Sequence, residues 1–424
     1  MNKYTQEKST LILKKRLKKR LRHEKIFKYF GILSILLACF ILGFLLTDII
    51  GKSLPAFNQT YIKLEIDRKL LNENNDPDTS TLFYTKIIRQ SFLGIFPNVQ
   101  DKQDQRILLK MLSNNAGYDL QKTISNSKNS LSDKINIWIK SSDDIDLIYK
   151  NYLKNLLSQN NPTNDKQILW VNQLHQQGKI TKKFNFTFFT SGDSREPEQA
   201  GILASILGTL LTMSITLLFA VPLGVMSAIY LEEFAPKKLW IDIVEISINN
   251  LAAVPSIVFG LLGLAVFIGF FGLPRSTPIV GGLVLGLMIL PILIIATRSA
   301  LKTVPSSIQQ AALALGASPF QTVIHHKLPL ALPGILTGTI IGTARAIGET
   351  APLLMIGMVA FIADIPSHFT DAATVLPVQI YLWADSPEKA FLEKTSAAII
   401  VLLLILILMN GCAVYIRRRF EKRW

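Results

Sequence analysis

Arg345 and Glu349 stand four residues apart in an otherwise apolar stretch from Pro333 to Ile362. On a helix that spacing puts both side chains on one face. A lone charge at bilayer depth costs at least about 2.5 to 3.5 kcal/mol on insertion scales, so the pair must face a protein interior or an aqueous path. Two chemistries fit. The residues can simply neutralise each other as a buried structural pair. Alternatively the guanidinium offers its donor fork to a passing oxyanion, with Glu349 holding it and Thr350 beside it on the same path.

A second constellation lies just upstream, in "QAALALGASPFQTVIHHKLP", Gln310 to Pro329. Ser306 and Ser307 can cap a helix that runs through Gln310, Ala311, Ala312 and Leu315, and Gly316 permits the positive φ that ends it. After Ala317 a second helix begins near Ser318-Pro319, proline being comfortable in a first turn. It reaches Leu328-Pro329, giving two short helices at a glycine elbow. Ala311, Ala312 and Ala314 leave a surface that a partner can approach closely, while Val323 and Leu328 can anchor the elbow on the bundle. The plainer alternative is an amphipathic connector lying on the bilayer.

The elements that must position these residues are membrane spans. The chain has 424 residues, 49% of them hydrophobic, and a mean hydropathy of +0.34, more apolar than a soluble domain of this size. Six runs are long and apolar enough to cross roughly 30 Å of hydrocarbon: Tyr29 to Ile50, Gly201 to Leu231, Ile248 to Phe271, Pro278 to Ala300, Pro333 to Ile362 and Ser396 to Ile416. The expected fold class is therefore an all-α membrane protein with six transmembrane helices.

Charge orients them. Residues 1–28 carry eleven Lys/Arg against two Glu and residues 417–424 five against one, so the two tails hold most of the formal net charge of +15. Basic residues flanking spans stay cytoplasmic, which puts both termini inside and requires an even number of crossings. A basic run directly before a span is an orientation signal, and no nucleic-acid partner is expected. The first run is read as a retained span and not a removed signal peptide. Cys39 and Cys412 fall inside separate spans, so neither a disulfide framework nor a metal site follows, and no cofactor is expected. Arg298, at the inner end of the fourth run, reads as a snorkelling side chain with no transport role.

The expected organisation is a basic tail 1–28, a first span 29–50, an external domain 51–198, a five-helix core 199–416 with a cytoplasmic loop 301–332, and a basic tail 417–424. Within the external domain Ile145, Ile148, Tyr149, Tyr152, Leu153 and Leu156 recur at helical spacing after "SSDD", which can supply an N-cap. A further helix is expected from Asp165 to Gln177, stopping at Gly178. The domain shows no nucleophile constellation, and His175 reads as an ordinary surface histidine.

The elbow resembles the cytoplasmic loop of inner-membrane permease subunits of ABC importers. That family's pattern is E-A-A, three residues, G, nine residues, I, one residue, L-P. Here Gln310-Ala311-Ala312, Gly316, His326 and Leu328-Pro329 stand at those spacings, with Gln310 replacing the acidic residue and His326 the aliphatic one. "AVPLGVMSAIYLEEFAP" (Ala220 to Pro236), "INNLAAVPSIVFGLLGLAVF" (Ile248 to Phe267) and "ARAIGETAPLLMIG" (Ala344 to Gly357) are similar to the phosphate-specific permeases of the PstA type. "FFTSGDSREPE" (Phe188 to Glu198) is similar to the end of an extra periplasmic domain carried by a longer subset of them.

The resemblance implies a type I importer core with a mostly helical periplasmic insertion. It implies coupling to an ATP-binding subunit through Gln310, Ala311, Ala312, Gly316, Ala317, Leu328 and Pro329, and a bacterial inner-membrane location. Implied partners are a second homologous permease, two ATP-binding subunits, a periplasmic phosphate-binding protein and the lipid bilayer. Gly51-Lys52-Ser53 mimics the tail of a phosphate-binding loop, but Leu46 occupies the required earlier glycine position, so ATP hydrolysis is expected in a separate subunit. Two alternatives remain: transport of another oxyanion such as molybdate, tungstate or sulfate, and a membrane sensor using 51–198 as its ligand domain.

Overall fold

The computed structural model describes residues 3–67, 81–126, 134–158, 166–359 and 361–420. A single helix, Lys3–Ser53, opens the chain; its apolar part is long enough to cross a membrane. It forms a compact unit of its own, and everything from Ser53 onward forms a second.

The second unit begins with the domain formed within residues 54–198. Its helices are organised around a three-stranded antiparallel sheet that the helical spacing did not reveal. Its order is β2 (Lys134–Lys140), β1 (Asn58–Asp67), β3 (Ile180–Phe184). Ile62, Leu64 and Ile66 recur every second residue, so all three fall on one face. The register sets Ile62 opposite both Ile139 and Ile180, and Leu64 opposite Ile137. Phe92, Leu120, Ile145 and Trp170 complete this core from the covering helices, with Phe96 from the loop after the first of them.

The two helices read from sequence appear as Asp143–Ser158 and Lys166–Gln176, the latter followed by Gly178 at φ +63°. His175 differs from expectation. It is half-buried, and its Nδ1 lies 3.1 Å from the Tyr149 hydroxyl.

This domain is welded to the membrane core. Phe188, Ala200 and Ile202 share one apolar cluster with Trp383, Phe391 and Ala397 of the C-terminal helices. The Trp383 indole N–H donates to Asp193 at 2.9 Å, and the buried Lys394 ammonium donates to the carbonyls of Pro197 and Ala200.

In the core, helix Leu203–Ile229 packs along helix Pro278–Lys302. The approach is close because the seam is built from small residues: a Cβ added at Gly282 would lie 2.5 Å from that of Ile215. Among the described residues, five helices are long and apolar enough to span a membrane, or six if one bent pair counts as a span.

That bent pair corrects the third expected span. Leu239–Ala252 and the helix starting at Ser256 meet at 106°, because Pro255 removes a backbone donor and disfavours helix at Val254. The fifth expected span, Pro333 to Ile362, is likewise not one helix. Helix Leu328–Gly348 ends where Glu349 turns extended (ψ 121°), and a five-residue helix, Ala351–Met355, follows. The helices that follow the two breaks pack on each other, for a Cβ at Gly260 would come within 2.7 Å of the Pro352 Cα.

Candidate functional site

The elbow is built from backbone chemistry. Helix Ser306–Ala314 starts behind Pro305, without the serine side-chain cap expected from sequence. Its end is closed by two hydrogen bonds, Gly316 N–H to Leu313 O at 3.0 Å and Ala317 N–H to Ala312 O at 3.1 Å. This double closure requires a left-handed residue between, and Gly316 supplies it at φ +86°.

Two residues on, Ser318 Oγ accepts from the Gln321 N–H (3.2 Å) while Gln321 Oε1 accepts from the Ser318 N–H (3.0 Å), a reciprocal cap for Pro319–Thr322. The second arm is not a separate short helix, however. It passes through a π-helical turn, Val323–Lys327, straight into helix Leu328–Gly348.

The apex is apolar and open. Leu315 is 90% exposed and Phe320 64%, with Leu313 also exposed. Gln310, Ala311, Gly316 and Pro329 are exposed, and Ala317 and Leu328 half-buried. Ala312 corrects the sequence reading: it is buried beneath the elbow, as is Val323, so it supports the turn from below and offers no outer surface. Leu301, Val304, Ala331 and Ile335 form the apolar base.

Acidic residues missed in the sequence tie this base together. Glu233 Oε1 meets Lys327 Nζ at 2.5 Å, both nearly fully buried. Its neighbour Glu232 reaches the other way, to Arg298 Nε at 3.2 Å, and Arg298 also pairs with Glu245 at 2.6 Å. Arg298 is therefore no free snorkelling side chain; it joins three helical segments at one point. The available signal was the Glu232-Glu233 doublet at the C-terminal end of a span, followed by Lys237 and Lys238.

At the other constellation, Arg345 lies in the last turn of its helix and Glu349 one residue beyond the helix end. They still form an ion pair, Nε to Oε1 at 3.5 Å, with the Arg345 side chain 42% exposed. Thr350 follows in the break, its carbonyl accepting from the Leu353 and Leu354 N–H groups. The structure thus brings the pair together at a helix break, where the arginine has donors to spare.

Comparison with known proteins adds the family. The model described as "Binding-protein-dependent transport system inner membrane component" matches residues 220–424, and the model "Domain of unknown function (DUF3333)" matches residues 14–159. Among solved structures, a chain of the MetNI methionine ABC transporter aligns at TM-score 0.41 and 18% identity, covering 52% of this chain and 95% of that one. "Phosphate transport system permease protein PstA 1" of Mycobacterium tuberculosis is 30% identical over 250 residues, covering 59% of this chain and 81% of the relative. "Phosphate transport system permease protein PstA" of Mycobacterium leprae is 33% identical over 238 residues, covering 56% and 76%. With that much of the relatives' length matched at such identity, the chain belongs to the PstA-type family of permeases, the inner membrane components of binding-protein-dependent transport systems.

Proposed function

We propose that this transport subunit forms half of the translocation path of an ATP-driven inorganic phosphate importer. The observation that carries the reading is the Gly316 elbow, whose apolar apex of Leu315 and Phe320 is fixed in shape by backbone bonding and left exposed among the described residues. The phosphate function named for the Mycobacterium relatives supports the substrate class.

In this reading an ATP-binding subunit receives the apex in a cleft, with Gln310, Ala311, Gly316 and Ala317 at the contact and Leu328 and Pro329 carrying the motion into the following span. A second homologous permease completes the path and a second ATP-binding subunit serves it. A periplasmic phosphate-binding protein delivers substrate. Both basic termini and the elbow are cytoplasmic, residues 51–198 are periplasmic, and the bent pair counts as one of six crossings. Arg345, held by Glu349 with Thr350 beside it, meets the anion at the break between helices. Irregular backbone is tolerated at that depth where it is buried in protein or lines a water-filled cavity. The close packing of Gly260 on Pro352 buries one side of the break, and the 42% exposure of the Arg345 side chain supports an open path on the other.

The test is uptake of labelled phosphate in a strain deleted for this gene and complemented with it. Restored uptake that excess sulfate or molybdate leaves unchanged is expected. Uptake abolished by one of those oxyanions and indifferent to phosphate would reassign the substrate.

A further inference from the structure

The elbow touches the rest of the chain through its apolar base and, among the described residues, through one ion pair to another helix, Lys327–Glu233. Both partners sit in π-helical turns. Ala235 N–H bonds to Tyr230 O (2.8 Å) and Leu328 N–H to Val323 O, each spanning five residues where an α-helix spans four. The wider turn redirects side chains. His325 and His326 remain exposed while Lys327 turns inward, and adjacent Glu232 and Glu233 point to different partners. Isolated π turns inside helices mark functional positions more often than chance.

We infer that Glu233 and Lys327 are positioning residues that transmit the motion of the elbow to the membrane helices, an assignment that rests on the docking role proposed above. Apolar surfaces at the base can slide past one another with little change in energy. A buried charge pair cannot, because separating it leaves both ions uncompensated in a low-dielectric setting. Displacement of the elbow therefore draws the inner end of helix Leu203–Ile229 with it. The next residue, Glu232, holds Arg298 of helix Pro278–Lys302, and Arg298 holds Glu245 of helix Leu239–Ala252. Two neighbouring carboxylates thus gather three membrane helices onto one lysine of the elbow.

The experiment compares purified complexes in proteoliposomes, scoring phosphate transported per ATP hydrolysed. Lys327→Met and Glu233→Gln should still co-purify with the ATP-binding subunit and hydrolyse ATP, while transport per ATP falls about tenfold, within the roughly 5- to 150-fold range of coupling between sites. Lys327→Arg, which keeps the charge, should retain the ratio. The exchanged double variant Glu233→Lys/Lys327→Glu should recover much of it, which a loss of folding would not allow. An unchanged ratio in both single variants overturns the inference, as does loss of co-purification in them, which would make the pair part of the docking surface. Failure of the docking reading shows separately, as a Gly316→Val variant that still captures the ATP-binding subunit.

Discussion

Lys150, in helix Asp143–Ser158, lies 3.0 Å from Glu393 at the start of the C-terminal span, and 2.5 Å from Asp146 one turn back on its own helix. Asp146 in turn accepts from both the backbone N–H and the hydroxyl of Thr60 on β1. The sheet-containing domain is therefore anchored to a membrane helix by a chain of charges as well as by the shared Phe188–Phe391 cluster. It must move with that helix.

Breaking this chain should be costly. Lys150→Met leaves Asp146 without its counter-ion in the interior, a change expected to cost about 3 to 5 kcal/mol. Thermal unfolding of the detergent-solubilised protein should show a clear drop for Lys150→Met. A much smaller drop is expected for Glu393→Gln, whose carboxylate is the more exposed of the two. Equal, negligible shifts would mean that the apolar cluster alone holds the domain.

Stability should also depend on pH through Glu198. Burial pushes its carboxyl above the ordinary glutamate range, against the lowering effect of the Ser113 hydroxyl that donates to it at 2.7 Å. A carboxyl raised in the folded state binds its proton more tightly there. Its contribution is therefore fully present below the unfolded value of about 4.3 and is lost as pH rises through the folded value. Glu198→Gln, which still accepts from Ser113, should remove that loss. The melting-temperature difference between variant and parent should grow in the variant's favour from mildly acidic to neutral pH, and a difference independent of pH would refute the assignment.

How much of this was visible beforehand divides along physical lines. Gly316 was legible because a glycine between two short helical segments has few other uses, and Ser318 because its cap partner lies three residues away. The sheet was equally accessible in principle, since "YIKLEI" (61–66) and "INIWI" (135–139) alternate apolar residues with period two. The helical spacing around Tyr149 drew the reading of the domain toward helices alone. What local pattern could not supply was partnership at long range. Lys327 and Glu233 are 94 residues apart, and Lys150 and Glu393 are 243 apart. Nor could apolar content alone show that Pro255 and the Glu349-Thr350 step interrupt two of the runs.

The Gly316 position makes a graded prediction. A Cβ there would meet nothing within 4 Å, so any effect of substitution is conformational and not steric. Gly316→Val should raise the cost of the turn by at least about 1 to 2 kcal/mol and abolish co-purification with the ATP-binding subunit. Gly316→Asn, whose side chain tolerates the left-handed region, should retain most of it. Equal behaviour of the two variants would show that the turn geometry is not what the partner reads.

Substitution of Arg345 should separate transport from assembly. Arg345→Ala should abolish phosphate uptake while leaving the complex intact and its ATPase active, because the side chain touches only Glu349 among the described ion pairs. Normal uptake in that variant would reduce Arg345 and Glu349 to a structural pair.

The claim on which the transport reading depends is that the apex at Leu315 faces the cell interior and is covered there by an ATP-binding subunit. The direct measurement is labelling of a Leu315→Cys variant, with Cys39 and Cys412 replaced by Ala, by a membrane-impermeant thiol reagent in vesicles of known orientation. The account predicts labelling in inside-out vesicles, none in right-side-out vesicles, and protection when the ATP-binding subunit is present. Labelling from the outer face, or no protection by that subunit, would contradict it.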